Sequence, residues 1–433
     1  MPGVMSVQQD KSKHRMRSPR EKLKILIVVG KFPAISSPFI LNQITGLIDL
    51  GHDVSIFAYR VDYQQCEHSE IEKYKLRNKL YVPEKAGATK FSKIKYVVQN
   101  GVSLIIKRPK VLLTAIKVLL AGSYALSLRF FYQLNSVANI PETDFDIIHA
   151  QFGPQGNLMM MLKEFGVLNG KLVTQFRGFD VSLMIRYEGI NYYDSLFASG
   201  DLFLPVCDYL KDKVVKLGAP EDKTFVQYSG INIDKFEYKK RDFHKSGALR
   251  IGSVGRLTAK KGYEYVIKAL SILKSEGVDF NYEIVGDGEL EADITGLISQ
   301  YGLNHNVVLL GSRNHDYIVD FLHSIDIFIS HNVTAESGDQ EGIPNNLKEA
   351  MLSGVPVFTT YHGGIPELVS DGTSGFLTEE KNIQQLVDKL GKFAFPLKDL
   401  EEITRNARDV VVRMFDNDKL NRELVNHYYS LLQ

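Results

Sequence analysis

Glu341-Gly-Ile-Pro-Asn-Asn-Leu-Lys-Glu349 is the stretch that decides the reading of this chain. Two carboxylates stand with seven residues between them. Pro344 falls where a helix can begin, because the N–H that proline lacks has no helical partner in a first turn. Ala350, Met351 and Leu352 continue the helix, Ser353-Gly354 supplies its stop, and Val355 to Phe358 reads as a buried strand. Free N–H groups and a positive dipole end at the start of such a helix favour a phosphate. Glu341 precedes the helix and Glu349 lies inside it, so they can face different parts of one ligand, Glu341 a sugar and Glu349 a ribose diol. Taken alone, two such acids more often mark an ordinary solvated helix.

The surroundings change that balance. Leu249 to Val254 reads as a strand, Gly255-Arg256 follows it, and Tyr263, Val266, Ile267, Leu270 and Leu273 mark a helix. Arg256 and Lys261, in Lys260-Lys261-Gly262, therefore sit in the turn from a strand into a helix. Two fixed cations and a helix dipole can neutralise a leaving diphosphate without a metal. The Gly-Lys-Ser/Thr ending of a Walker loop is absent. Further strands at Tyr282 to Val285, Val307 to Leu310 and Asp326 to Ser330 alternate with helices, which predicts a doubly wound parallel sheet. Downstream lies His362-Gly-Gly-Ile-Pro-Glu367.

Together these segments resemble the donor-site pattern of glycosyltransferase family 4, retaining enzymes with a GT-B fold. The likeness runs from about Lys24 to Leu377 and is stronger in the second half. Gly338-Asp-Gln-Glu-Gly-Ile-Pro-Asn345 is similar to the branch that builds bacterial exopolysaccharide, capsule or lipopolysaccharide. The resemblance implies two Rossmann-like domains facing across a cleft and a nucleotide diphosphate sugar, expected to be a UDP-sugar, as donor. It implies that Glu349 binds the ribose and that Arg256 and Lys261, beside Gly255, hold the diphosphate. Glu341 and the backbone of Gly342, Ile343, Pro344 and Asn345 would hold the sugar. It implies retention by a front-face route, with the leaving phosphate oxygen helping to remove the acceptor proton, and no metal or other cofactor.

In the first half, Lys24 to Val29 is a nearly continuous apolar run ending at Gly30 and reads as a buried parallel strand. A helical pattern from Phe39 to Ile48 and a strand from Val54 to Ala58 follow. The loop that begins at Gly30 lies where open α/β sheets bind ligands, and in the resembling family it faces the donor phosphates and the acceptor. Relatives in the polysaccharide branch often carry Ser-Glu-Thr-Phe there, whereas this chain has Ser36-Ser-Pro-Phe39. Asp146 to Ala150 and Leu172 to Phe176 are further strands, and Leu202 to Pro205 and Phe225 to Tyr228 complete the expected sheet. Arg177 stands where the family often has a histidine near the sugar. An arginine is always charged and cannot serve as a general base, but it can grip an acceptor phosphate or carboxylate. Asp180 is expected to orient it, and His149 reads either as an acceptor contact or as a core histidine.

Residues 85–141 carry nine Lys or Arg and no Asp or Glu, interleaved with apolar residues. Such a basic, amphipathic helical insertion reads as a membrane-surface element, or else as a helical insertion with a solvated basic face. Lys117 interrupts the one run that approaches the ~20 apolar residues of a transmembrane helix. The expected organisation is a disordered basic tail (1–22), an acceptor-binding domain (23–230), a linker (231–247), a nucleotide-sugar domain (248–415) and a last helix (416–433) crossing back to the first domain.

The chain has 433 residues and a formal net charge of +1, which gives no overall attraction to nucleic acid. Cys66 and Cys207 stand far apart without metal-ligand spacing. No export signal follows the basic tail, so a cytoplasmic enzyme is expected. The basic insertion points to the inner face of the membrane and to a polyprenyl-diphosphate-linked oligosaccharide, or another glycan, as acceptor. The rival readings are a GT-B-type nucleotide-sugar epimerase and a non-catalytic nucleotide-sugar-binding scaffold.

Overall fold

The computed structural model describes residues 22–33, 38–61, 69–83, 140, 142–241, 247–393 and 400–433. The expected basic tail apart from Lys22, the Ser36-Ser37 turn and nearly all of the 85–141 insertion lie outside the described residues.

Two parallel six-stranded sheets make up the frame. The first comprises β1 (Lys24–Lys31), β2 (Asp53–Arg60), β3 (Leu80–Tyr81), β4 (Asp144–Ala150), β5 (Asn169–Phe176) and β6 (Leu202–Pro205), in the order β3-β2-β1-β4-β5-β6. The second comprises β7 (Leu249–Val254), β8 (Phe280–Val285), β9 (Val307–Gly311), β10 (Ile327–Ile329), β11 (Val357–Thr360) and β12 (Phe376–Thr378), in the order β12-β11-β10-β7-β8-β9. Both orders are the same winding. The chain moves outward on one side of the first strand, then restarts on its other side. Each sheet therefore has a switch point, at β1/β4 and at β7/β10, where the loops beyond the strand ends part and leave a crevice. This is the GT-B arrangement of two Rossmann-like domains.

The run Ile25 to Val29 is buried throughout because helices cover both faces of a parallel sheet. Leu26 and Val28 pack into one core layer, and Ile25, Ile27 and Val29 into the layer on the opposite face, as the two-residue period of a strand requires. Two similar layers, around Tyr282 and around Phe328, sandwich the second sheet.

One strand expectation needs correction. Phe225 to Tyr228 runs beside β6, with its Phe225 and Gln227 N–H groups donating to Phe203 and Pro205 oxygens at 3.0 and 2.9 Å. Only an isolated bridge forms there, Phe203 with Thr224. The sixth strand is instead β3 at the far edge, two residues long and too short to show alternation.

The helix Asn417–Leu431 belongs physically to the first domain. Its Leu424, Val425 and Tyr428 are buried with Ile27, Val29, Ile44 and Leu47. Where the chain crosses between domains, Ile231 N–H donates to Phe415 O at 2.9 Å and Asn417 N–H to Ile231 O at 3.1 Å. Among the described residues no helix is long and apolar enough to cross a membrane.

Candidate functional site

The β7/β10 switch point gathers four charged side chains. After β7 a 3-10 turn, Ala259–Lys261, leads through Gly262 into the helix Tyr263–Ser275. Gly262 has φ 62°, and a Cβ there would stand 2.0 Å from His331 O, so only glycine lets this turn lie against the loop that follows β10. That approach brings Lys261 Nζ to 2.9 Å from Glu341 Oε1. Lys260 Nζ lies 3.5 Å from the same oxygen and 3.1 Å from Asp339 Oδ2. All four side chains are mostly buried. Burial alone would raise the Glu341 carboxyl, but Lys261 and Lys260 outweigh it and hold it down to about 2. Burial pulls Lys260 down, and Glu341 and Asp339 outweigh that too, so its affinity for a proton rises. At neutral pH Glu341 is therefore a carboxylate and Lys260 an ammonium group.

The main chain of Glu341 is held from behind. Its N–H donates to His362 Nε2 at 3.0 Å. An amide can only donate, so Nε2 carries the lone pair and the proton of the neutral ring sits on Nδ1, 2.6 Å from Glu380 Oε1. Glu380 also accepts the Thr334 N–H at 2.7 Å. Beyond His362, Gly363 has φ 55°, and a Cβ there would meet Glu341 O at 2.3 Å. Gly364 N–H donates to Gly342 O at 3.0 Å. Two stretches of chain are thereby clipped together along the site.

The helix expected from Pro344 runs Asn345–Leu352, with Pro344 at its cap and no side chain capping its first turn. Asn346 Nδ2 donates to Val254 O at 2.5 Å and pins the helix start to the end of β7, next to Gly255. Glu349 is buried, which pushes its carboxyl up to about 7 against the pull of Lys348. Lys348, wholly buried, is drawn down to about 7 by burial. It donates to Ser229 O at 2.8 Å and Asn345 Oδ1 at 2.9 Å and lies over the Phe415 ring. Arg256 does not join this cluster. Its side chain is largely exposed and 3.6 Å from Glu289.

On the first-domain side, Gly30 lies within β1, whose end is at Lys31. The Arg177 guanidinium donates to Ser229 Oγ (2.7 Å), Gln151 Oε1 (2.7 Å) and Gln175 Oε1 (2.9 Å), and stacks over Phe39 at 4.2 Å. Burial draws it down to about 9, still charged at neutral pH. Asp180 does not orient that guanidinium directly. Its carboxylate accepts the backbone N–H groups of Gly153, Arg177 and Gly178 at 3.1, 3.0 and 2.9 Å, so it shapes the turn. Of the two readings of His149, the core one describes its place. The ring is fully buried on the β4 face under the last helix, its Nδ1 2.6 Å from Tyr428 Oη, and burial lowers it to about 3.

The two domains touch beside the acidic loop. A Cβ at Gly178 would stand 2.9 Å from Gln340 O. The Gln340 side chain accepts from Tyr209 Oη at 3.0 Å and from Lys213. Glu367 accepts the N–H groups of Asp208 and Tyr209, both at 3.0 Å, at the start of the helix Asp208–Lys216. Lys260, Asp339, Lys348 and Glu380 carry no expectation from the sequence. Two signals were present, the doubled lysine of Lys260-Lys261 and the His362-Gly363-Gly364 triplet.

The family model described as "Glycosyl transferases group 1" matches residues 234–410. The amylovoran biosynthesis glycosyltransferase AmsK of Erwinia amylovora is 36% identical over 409 residues, 93% of this chain and 98% of AmsK. WcaL of Salmonella typhimurium, provisionally assigned as a colanic acid biosynthesis glycosyltransferase, is 34% identical over 417 residues, 95% of this chain and all of WcaL. This chain belongs to the group 1 glycosyl transferases. It is a glycosyltransferase by family, and its fold is shared with HepE of Anabaena, solved with UDP and glucose. That likeness has a TM-score of 0.66 at 18% identity, over 94% of this chain and all of HepE.

Proposed function

We propose that this glycosyltransferase moves a sugar from a UDP-sugar to a lipid-linked oligosaccharide during exopolysaccharide assembly, with retention at the anomeric carbon. The observation that carries the reading is the Lys261–Glu341 pair, 2.9 Å apart at the β7/β10 switch point beside an uncapped helix start. A diphosphate at that helix start takes charge from Lys261, and from Arg256 when its exposed side chain turns in from Glu289. Glu341 and the Gly342 to Asn345 backbone then meet sugar hydroxyls, and Glu349 the ribose diol. The UDP in HepE supports the choice of nucleotide, and the names of AmsK and WcaL support the pathway class.

In the reaction, the acceptor oxygen bonds to the anomeric carbon on the face that the diphosphate leaves. The acceptor proton passes to the departing phosphate oxygen. Fixed protein charges stabilise that oxygen in a water-poor site, so this reading needs no metal. Arg177 is offered to an acceptor phosphate, because its hydrogen bonds go to neutral side chains and leave its charge available. The basic 85–141 segment would dock the enzyme on an anionic leaflet at about 1 kcal/mol per residue near the surface. Flotation with anionic vesicles tests that part, and no binding at low salt would refute it.

The central test is thermal stabilisation by a panel of nucleotide diphosphates and nucleotide sugars, with and without EDTA. Ligand at ~100 times its dissociation constant adds about 2.7 kcal/mol to the folded state. Stabilisation by UDP species that survives EDTA and weakens in Arg256→Ala supports the reading. No stabilisation by any nucleotide overturns it.

A further inference from the structure

We propose that His362 and Glu380 are positioning residues for the donor sugar. Glu380 holds the His362 ring in the tautomer whose bare Nε2 accepts the Glu341 N–H, and this aims the Glu341 carboxylate. The inference rests on the donor-site reading above and adds to it the device that sets the sugar-binding acid in place.

His362 is fully buried, so the ring cannot itself meet a ligand and can act only through what it touches. What it touches is the peptide nitrogen of Glu341, at 3.0 Å. The neighbouring contacts are directional as well. Gly364 N–H donates to Gly342 O, and the close approach of Gly363 to Glu341 O leaves no room for the loop to slide. The charged groups that face the ring are Glu380 from the loop after β12, Glu341 from the loop after β10 and Lys261 from the loop after β7. Glu380 is the one that chooses the tautomer, because a carboxylate can only accept and so draws the ring proton to Nδ1. The same carboxylate accepts the Thr334 N–H, and Gln340 Nε2 donates to Thr334 Oγ1 at 2.9 Å. Glu380 thus anchors both the ring behind Glu341 and the loop that leads into it.

This geometry makes an unusual prediction for Glu380→Gln. The Thr334 N–H is an obligate donor, so the new amide must turn its oxygen toward Thr334. Its NH2 then faces His362 Nδ1, which must give up its proton. The proton moves to Nε2, where it confronts the Glu341 N–H, donor against donor. A nearly isosteric substitution outside the ligand's reach should therefore disturb the sugar site as much as deletion of the ring. His362→Gln, by contrast, can present an amide oxygen near the Nε2 position and restore the acceptor.

The test uses the full chain with UDP-glucose, UDP-galactose and UDP as calorimetric probes. His362→Ala and Glu380→Gln are each expected to weaken the better UDP-sugar roughly tenfold, as loss of one orienting hydrogen bond would. UDP alone should change by less than about twofold, and His362→Gln should recover most of the loss. UDP-sugar binding in both variants equal to wild type overturns the proposal, as does an equal loss for UDP and UDP-sugar. A wild type that binds none of these probes instead breaks the donor reading. In that case 15N spectra of labelled histidine still decide the device. Nδ1–H in the wild type and Nε2–H in Glu380→Gln support it, and Nε2–H in the wild type overturns it.

Discussion

Lys261 Nζ stands 2.9 Å from Glu341 Oε1, with Lys260 3.5 Å from the same oxygen. Folding holds this carboxyl at about 2, below its ordinary 4.5. An acid lowered by folding adds stability at every pH above its ordinary value, and that contribution is lost as pH falls through the folded value. For Glu341 the loss runs from about 4.5 down to about 2, and its size is about 3 kcal/mol. Glu341→Gln should remove that part of the acid limb. Urea midpoints measured against pH for the two proteins check it, and parallel acid limbs would sink the claim.

The same pair should be strongly non-additive. Lys261→Met leaves Glu341 with the more distant Lys260, and Glu341→Gln leaves two lysines with one acid, Asp339. Each single change strands charge in a mostly buried site, whereas the double variant strands less. We expect the double variant to be more stable than the two single losses added together, by about 1–2 kcal/mol. Lys261→Met should also lower kcat by roughly a hundredfold or more, the scale of removing one fixed charge from a transition state. Denaturation and steady-state kinetics on the four proteins measure both effects.

How much of this site the sequence discloses depends on how far each contact reaches along the chain. The apolar run of β1, the strand before Gly255 and the two glutamates are local patterns, and they are enough to place a parallel doubly wound sheet with a site at its strand ends. Partners brought together by the winding are not local. Asp339 meets Lys260 only because β10 lies beside β7 in the sheet, and Glu380 meets His362 only because β12 lies beside β11. Short edge strands are illegible for another reason, since Leu80–Tyr81 and Phe376–Thr378 are briefer than one readable period of alternation. His149 shows why a polar residue near a strand end stays ambiguous. It reads equally as a ligand contact or a core histidine until the last helix is seen to cover it.

Glu367 predicts a change at the domain contact. It serves as an acid cap for a helix of the other domain, taking the Asp208 and Tyr209 N–H groups at 3.0 Å each and the Tyr228 hydroxyl at 3.1 Å. Loss of such a cap costs about 1 kcal/mol. In Glu367→Ala, hydrogen exchange over Asp208–Lys216 should quicken several-fold, with little change in the core strand β7. Unchanged exchange in that helix would show that the contact carries no stability.

Arg177 should not tolerate lysine. Three neutral acceptors hold its planar fork, and an ammonium on a flexible stem cannot reach all of them while stacking on Phe39. Arg177→Lys is expected to raise the acceptor KM roughly tenfold, on the scale of one lost charge-assisted contact, and to leave the donor KM within about twofold. Kinetics with each substrate varied in turn distinguish the two. An equal rise in both would place Arg177 in the general scaffold of the cleft rather than on the acceptor.

His149 should behave in the opposite way. Its ring is buried against Tyr428, and folding lowers it to about 3 from an ordinary 6.5. The unfolded chain therefore binds a proton that the folded chain refuses, and stability falls as pH drops from about 6.5 toward 3. His149→Asn should flatten that slope. Tyr428→Phe, which removes the one hydroxyl bonded to the ring, should cost about 1 kcal/mol at neutral pH. Neither change should move the KM for donor or acceptor, because the ring is fully buried and bonded to the last helix. A selective rise in acceptor KM for His149→Asn would return the residue to the acceptor side and contradict its assignment to the core.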